Sequence, residues 1–513
     1  MKKYISIIVF TLIIAGSSCK KDFLSLETNP NTPSVAAPDL LLSGALKTAA
    51  ALQNSNQYNM YACWIGYLSY STGFQVNTAL EQYIITTGTY DVWTNYYLNI
   101  SNFSALAATG SGANYTAIAK IMMVFDYEQL VDNYNNIPYS QAIKGTANLT
   151  PTYDSGSAVY DDLLKQLDAA ITGIQGAGSA LTPGAGDIMF KGNMTSWIKF
   201  ANTLKLRIAL RQSNLSAKTS ALKTAVAATQ ALGYAGGTVN PGYNNSDANG
   251  GQQSPMYLSY GIGANGAGLG SNATYQANAY GAHFYGKNND PRLGQVYSST
   301  STPNAAATTG LKDAVIETVG TAVVVASPFG AGTPPNGITP PSTGRANISP
   351  SKYGPGVLKS PTQNANMIST AEAYFLQSEA VARGYITGDA AALYASGISA
   401  SFVDDGLTAA DAATYTAQPQ IAYPAAGSLD AQIKAIIVQK WAALNLYNAQ
   451  EAFHEFQRTG YPDDIPTSIT TGANAPNNVT RIPYPNTEYS TNSTNVTAQG
   501  TINVFTSKIF WAK

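Results

Sequence analysis

Apolar side chains recur at helical spacing in five segments of the first 210 residues, and this pattern constrains the fold more than any other feature. From Asp39, a run through Leu40, Leu41, Ala45 and Leu46 opens a first helix, with Asp39 placed to cap it. Asp91–Leu106 carries Trp93, Tyr96, Tyr97 and Ile100, and Tyr115–Leu130 carries Ile118, Ile121, Met122 and Phe125. Ser157–Ile174 shows Val159, Leu163, Leu164, Leu167 and Ile171, and Ser196–Leu210 shows Trp197, Phe200, Leu204 and Ile208. Stripes at i, i+3, i+4 and i+7 bury one face of each helix against a neighbour. The pattern resumes over Ser369–Arg383, Ala390–Val403, Asp430–Tyr447 and Ala449–Thr459. No strands alternate with these helices, so nothing points to a parallel βαβ sheet. The expected fold is all-α and built from helix pairs. Small residues such as Ala371, Ala373, Ser378, Ala380 and Ala382 permit the close helix approach of tetratricopeptide-type hairpins.

Between about residues 233 and 360 the helical period fades, and Gly, Asn, Ser, Pro and Tyr dominate. Ala322–Ala326 reads as one short strand, and the tail from Tyr461 reads as loop. An irregular stretch this long is commonly functional or disordered, and its many Tyr argue for partial order. Aromatic residues gather here and in one earlier loop: Tyr257, Tyr260, Tyr275, Tyr280, Phe284 and Tyr285, and Tyr70, Phe74, Tyr83 and Tyr90. Charged residues make up only 11% of the chain and the net charge is −1. No basic field exists to hold phosphates, so nucleic acid is not an expected partner. Neutral amides and hydroxyls beside flat phenol rings suit uncharged, hydroxyl-rich ligands, and also peptides.

The first residues read as an export signal. Lys2 and Lys3 precede the apolar run Tyr4–Ala15, and Gly16-Ser17-Ser18 lead into Cys19. The run is too short for a transmembrane helix, which needs about 20 apolar residues. Cys19 stands where a lipoprotein signal (residues 1–18) places the cysteine that receives a diacylglycerol, although Gly16 occupies a position where an aliphatic residue is usual. The alternative is cleavage near Ser18 that leaves Cys19 free or bonded to Cys63. Residues 19–38, polar and proline-bearing, read as a tether, and 39–513 as one ligand-binding domain. Cys63, in an apolar stretch, reads as a core residue.

Catalytic material is sparse. The histidines are His283 and His454. Glu451 and His454 have the spacing of half a di-iron carboxylate motif, but the second half is missing, and a polar cluster on a helix surface is the simpler reading. Asp404-Asp405 and Asp463-Asp464 are adjacent pairs that cannot face each other across a cleft, so they read as turn or cap residues. Asp290-Pro291-Arg292 reads as a turn with a local ion pair. No HExxH, GxSxG or Walker-type loop occurs. No cofactor or metal is implied.

Several segments resemble the SusD/RagB family of outer-membrane lipoproteins. They are Asp187–Arg211, Asp290–Leu293, Ala371–Tyr385, Ile437–Pro462 and Arg481–Asn492. Asp132–Tyr139 (DNYNNIPY) is similar to the family's D-x-Y-G-D-I-P-Y turn, with Asn135 and Asn136 for the usual Gly-Asp. Phe453 stands for a usual Trp, and Gln457-Arg458 for a usual Arg pair. The resemblance implies tetratricopeptide-like helix pairs supporting a loop-built ligand face. It implies a surface-exposed outer-membrane location, anchored through Cys19, and a partner transporter of the TonB-dependent SusC type. It also implies an oligosaccharide ligand, or a peptide as in the RagB branch, and no catalysis; a surface glycoside hydrolase is the remaining alternative. Ligand contacts do not transfer by motif. The candidates Gln75, Tyr83, Tyr257, Tyr260, Tyr280 and Tyr285 come from the aromatic and loop pattern alone.

Overall fold

The computed structural model describes residues 37–54, 58–70, 75–178, 180–246, 251–299, 315–330, 351–474 and 478–513. The expected signal, Cys19, the tether up to residue 36, and Phe74 lie outside the described residues. Two groups of helices form the frame. The first contains α1 (Pro38–Gln53), α2 (Asn59–Trp64), α3 (Thr94–Ala108), α4 (Ala113–Tyr134), α5 (Gly156–Gln175) and α6 (Met194–Arg211). The second contains α7 (Thr370–Ala382), α8 (Ala390–Asp404), α9 (Ala409–Thr416), α10 (Leu429–Leu444) and α11 (Ala449–Thr459). Successive helices pack in pairs: α3 on α4, α4 on α5, α5 on α6, α7 on α8, and α8 on α9. The groups meet where α7 packs on α6, and α11 bridges α10 to α2.

Local chemistry sets the helix ends. Ser155, Asn193, Ser369, Asp389, Ser428 and Asn448 each accept a backbone N–H in the first turn of the helix that follows. Such caps contribute about 1 kcal/mol each. Asp39 does not cap α1 as expected. The helix begins one residue earlier, with Pro38 at its first position, and Asp39 accepts a hydrogen bond from the Tyr115 hydroxyl at 2.6 Å, tying α1 to α4. Helix α4 is the central element: only Ala113, Thr116, Lys120 and Met123 escape burial along its length.

Charged residues are few, yet many sit in the core. Arg207 and Arg211 of α6 reach Glu128 and Asp132 of α4, Glu372 of α7, and Glu451 and Glu455 of α11. Lys440 of α10 pairs with Glu451 at 2.8 Å and Glu455 at 3.4 Å, and Arg458 joins Glu455 to Glu379 of α7. Burial would raise Glu451 and Glu455, but the surrounding Arg and Lys groups hold both below the usual carboxylate range. The six carboxylates outnumber the four fully buried cations. The excess falls on Asp132 and Glu372, which burial pushes up to about 7. His454 is buried in this cluster, and burial and Arg211 keep it neutral. The expected surface location of the Glu451–His454 pair is therefore corrected: it lies inside the frame, where α4, α6, α7, α10 and α11 converge.

The remaining elements are short. Two-stranded antiparallel pairs join β1 (Leu68–Tyr70) to β5 (Tyr275–Ala277), β2 (Ile137–Pro138) to β3 (Tyr153–Asp154), β4 (Gly237–Val239) to β8 (Ala365–Ile368), and β6 (Val315–Val319) to β7 (Ala322–Ala326). The expected strand at 322–326 is β7. Its partner β6, α9 and the tail helix Asn486–Thr491 were not evident in the pattern, because each is too short to show a period. Cys63 is a buried free thiol, as its apolar context indicated. Among the described residues, no helix is long and apolar enough to cross a membrane.

Candidate functional site

Pairing of β1 with β5 sets Tyr70 opposite Tyr275. The two partly exposed rings meet edge to face, with centroids 5.6 Å apart. Irregular backbone widens this small sheet: Ala277 N–H donates to Ser351 O at 2.8 Å, Ser327 N–H to Ala277 O at 3.0 Å, and Ser351 N–H to Val325 O at 2.7 Å. Four segments distant in sequence thus share one platform.

Groups beneath and beside the platform hold it in place. The Tyr260 ring packs on Tyr353 at 4.4 Å, its hydroxyl donates to Asn59, and Asn59 donates to Ser271 Oγ at 3.2 Å. Lys352 Nζ donates to the carbonyls of Asn272, Ala273 and Tyr275 at 2.6, 3.2 and 3.4 Å. Partial burial lowers the Lys352 pKa. These bonds fix the turn that leads into β5. The surface offers phenol faces and neutral hydrogen-bonding groups, a combination that stacks on apolar ring faces and orients hydroxyls.

The candidate residues separate by burial. Gln75 is exposed. Tyr257 is partly exposed on the short helix Pro255–Tyr260. Tyr280 is partly exposed; its hydroxyl donates to Asp464 Oδ1 at 2.5 Å, and its ring meets Trp441 edge to face. A Cβ at Gly66 would come within 2.6 Å of that ring, and Gly66 also has φ +78°.

The other three candidates are buried and make internal contacts. Tyr83 is buried, and its hydroxyl accepts from Ser468 N–H at 2.8 Å. Tyr260 is buried under Tyr353. Tyr285 is fully buried, donates to Ala442 O at 2.9 Å and lies against Arg292. The helix Ala279–Lys287 turns Ala282 and Tyr285 inward and His283 outward. Tyr70 and Tyr275 stood in the sequence's aromatic clusters but were not singled out, and nothing in the pattern marked Lys352.

The other motif residues are structural. Asp187, fully buried, accepts from the N–H groups of Met189, Phe190 and Gly192 and from Trp197 Nε1, closing the loop before α6. Asp290 and Arg292 form the expected local ion pair at 2.6 Å, buried beneath the Phe402 and Tyr415 rings. Asp463 pairs with Lys434 at 2.7 Å, and Asp464 holds Tyr280. Among the described residues, no group of three His, Cys, Asp or Glu side chains is placed to hold a metal ion.

A separate cleft of about 370 Å³ opens at the start of α3. Trp93 and Tyr97 line it, together with the exposed Leu98, Ile143 and Leu149. Ile143 has φ +59°, a strained conformation for a β-branched residue.

The sequence pattern of the SusD-like family, described as "Starch-binding associating with outer membrane", matches residues 30–485. No match to a curated protein is found. Among solved structures, an outer membrane protein of Bacteroides vulgatus described as involved in nutrient binding is 25% identical. That match covers 93% of this chain and 100% of the other, with a TM-score of 0.72. A chitin-binding SusD homologue from Flavobacterium johnsoniae is 24% identical over 92% of this chain and 98% of its own, with a TM-score of 0.69. A SusD homologue from Bacteroides fragilis is 23% identical over 93% and 100%, with a TM-score of 0.72. The chain belongs to the SusD-like family of proteins that associate with the outer membrane.

Proposed function

We propose that this protein is a non-enzymatic, cell-surface lipoprotein of the outer membrane that binds neutral oligosaccharide on the Tyr70–Tyr275 face and delivers it to a TonB-dependent transporter of the SusC type. The observation that carries the proposal is the platform itself: two partly exposed phenol rings beside neutral polar groups, on short paired strands held by the helical frame. Stacking on the apolar faces of sugar rings needs such surfaces, and the low charge of the chain favours uncharged ligands. The chitin-binding relative supports sugar as the ligand class. Residues 39–513 act as one ligand-binding unit in this reading, supported by the buried ion network that joins both helix groups. Cys19 carries the lipid. Residues 19–38 reach at most about 70 Å when extended, which lets the bound protein cover its transporter and move away.

Glycan and peptide arrays probed with the chain from Lys20 onward test the reading. Binding of neutral oligosaccharides, with the sugars recovered intact, is the expected result. Binding of peptides alone, or release of cleaved sugar, overturns it.

A further inference from the structure

Lys47 and Ala51 lie one turn apart on the outer face of α1, and both are exposed. With Pro241, Tyr243, Gln252, Gln253, Pro255 and Leu258 they border a pocket of about 380 Å³. Small-molecule sites run from about 300 to 1,000 Å³. The pocket shares no lining residue with the Tyr70–Tyr275 platform.

Hydrogen bonds preform its wall. Asn240 Oδ1 accepts from the N–H groups of Gly242 and Tyr243 at 2.8 and 3.0 Å, while its Nδ2 donates to Thr362 O and Asn364 Oδ1. Asn244 N–H donates to Gln252 O, Gln252 N–H to Ser246 O, and Ser254 N–H to Pro361 O. A wall fixed in advance loses little freedom when a ligand enters.

Two buried lining groups are left unmatched among the described residues, and a cation stands at the rim. Tyr243 is 8% exposed and its hydroxyl has no hydrogen-bond partner. Gln253 is 1% exposed; its Nε2 donates to Asn245 Oδ1 at 2.7 Å, and its Oε1 has no partner. Lys47 is exposed at the rim and pairs with no acidic side chain among the described residues. Buried polar atoms are nearly always hydrogen-bonded, so orphans at a pocket call for an explanation.

We propose that this pocket binds an anionic pyranose of the uronic acid class, as a second sugar site. Pro241, Tyr243 and Leu258 give the ring's C–H face an apolar wall. Sugar hydroxyls both donate and accept, so they match a phenol and an amide oxygen together. The carboxylate is the partner for Lys47. A neutral sugar gains no ion pair with Lys47, and an acyl chain leaves the Gln253 amide oxygen unmatched.

The test is calorimetric titration of the full chain in detergent with glucuronic acid and, separately, with glucose. Glucuronic acid is expected to saturate one site, at least tenfold more tightly than glucose, and to weaken as salt is raised. K47M is expected to lose at least tenfold and K47R to stay close to wild type. Y243F, which removes only the orphan hydroxyl, is expected to lose severalfold, while Y70A leaves this site unchanged. Equal affinity in K47M and wild type, glucose bound as tightly as glucuronic acid, no saturation, or no effect of Y243F each overturns the proposal. Oligosaccharide binding that persists at Tyr70 and Tyr275 in K47M shows that the two sites fail independently.

Discussion

Replacing Arg211 with Met probes the frame where it is most tightly coupled. Arg211 is fully buried, lies 5.4 Å from the Trp511 ring, and meets Asp132 at 3.3 Å, Glu455 at 2.7 Å, and Glu451. Met keeps most of the aliphatic stem but none of the charge. Glu451 then retains Lys440, Glu455 retains Lys440 and Arg458, and Asp132 loses its cation. Removing one partner of a buried ion pair costs about 3–5 kcal/mol, because the abandoned charge stays in the core. Unfolding entropy near 2.1 cal/mol/K per residue amounts to about 1 kcal/mol/K for a chain of this length. The expected drop in Tm is therefore about 3–5 °C, read by differential scanning calorimetry. The deficit should shrink from pH 8 to pH 5. Carboxylates that lose their cation have raised pKa values in the fold, so the folded state gains protons, and relative stability, as pH falls. Adding E451Q to R211M removes part of the excess negative charge. The double variant should be more stable than the sum of the single losses by at least about 1 kcal/mol. A Tm within 1 °C of wild type, or strict additivity, would refute the coupled network.

Glu372 sits near 7 in the fold, above its unfolded value, so it detracts from stability progressively as pH rises from about 4 to 7. E372Q should flatten that fall, and an unchanged pH–Tm profile contradicts the assignment. Y70A and Y275A should each weaken oligosaccharide binding roughly 2- to 10-fold, from the loss of about 0.5–1.5 kcal/mol of aromatic contact, with little change in Tm. Titration calorimetry reads both quantities, and unaltered affinity in both variants moves the ligand off this face. C19A should move the protein from the membrane to the soluble fraction on cell fractionation; retention at the wild-type level removes the lipid anchor from the account.

The long helices were legible because each buries one stripe, and the stripes survive in the residue order. Helix α5, with Val159, Leu163, Leu167 and Ile171 all buried, is the plainest case. The ion network was not legible. Glu451, His454, Glu455 and Arg458 give α11 a polar appearance, and a polar helix reads as solvated. Their partners come from far away; Arg211 lies 240 residues before Glu451. The proposed ligand face was half legible. Composition marked its aromatic and neutral character, but Tyr70 and Tyr275 are joined by three-residue strands that no period reveals. Tyr285 shows the limit from the other side: tyrosines in a glycine-rich stretch look available for binding until a helix turns one of them into the core.

The Tyr70–Tyr275 face is proposed to capture neutral oligosaccharide without changing it. Titration of a chitooligosaccharide series and a starch-derived series into the chain from Lys20 onward, with the sugars recovered and sized afterwards, tests this most directly. Saturable binding of at least one series, intact sugars, and loss of that binding in the Y70A/Y275A double variant are expected. Shortened sugars, or wild-type affinity in the double variant, would contradict it.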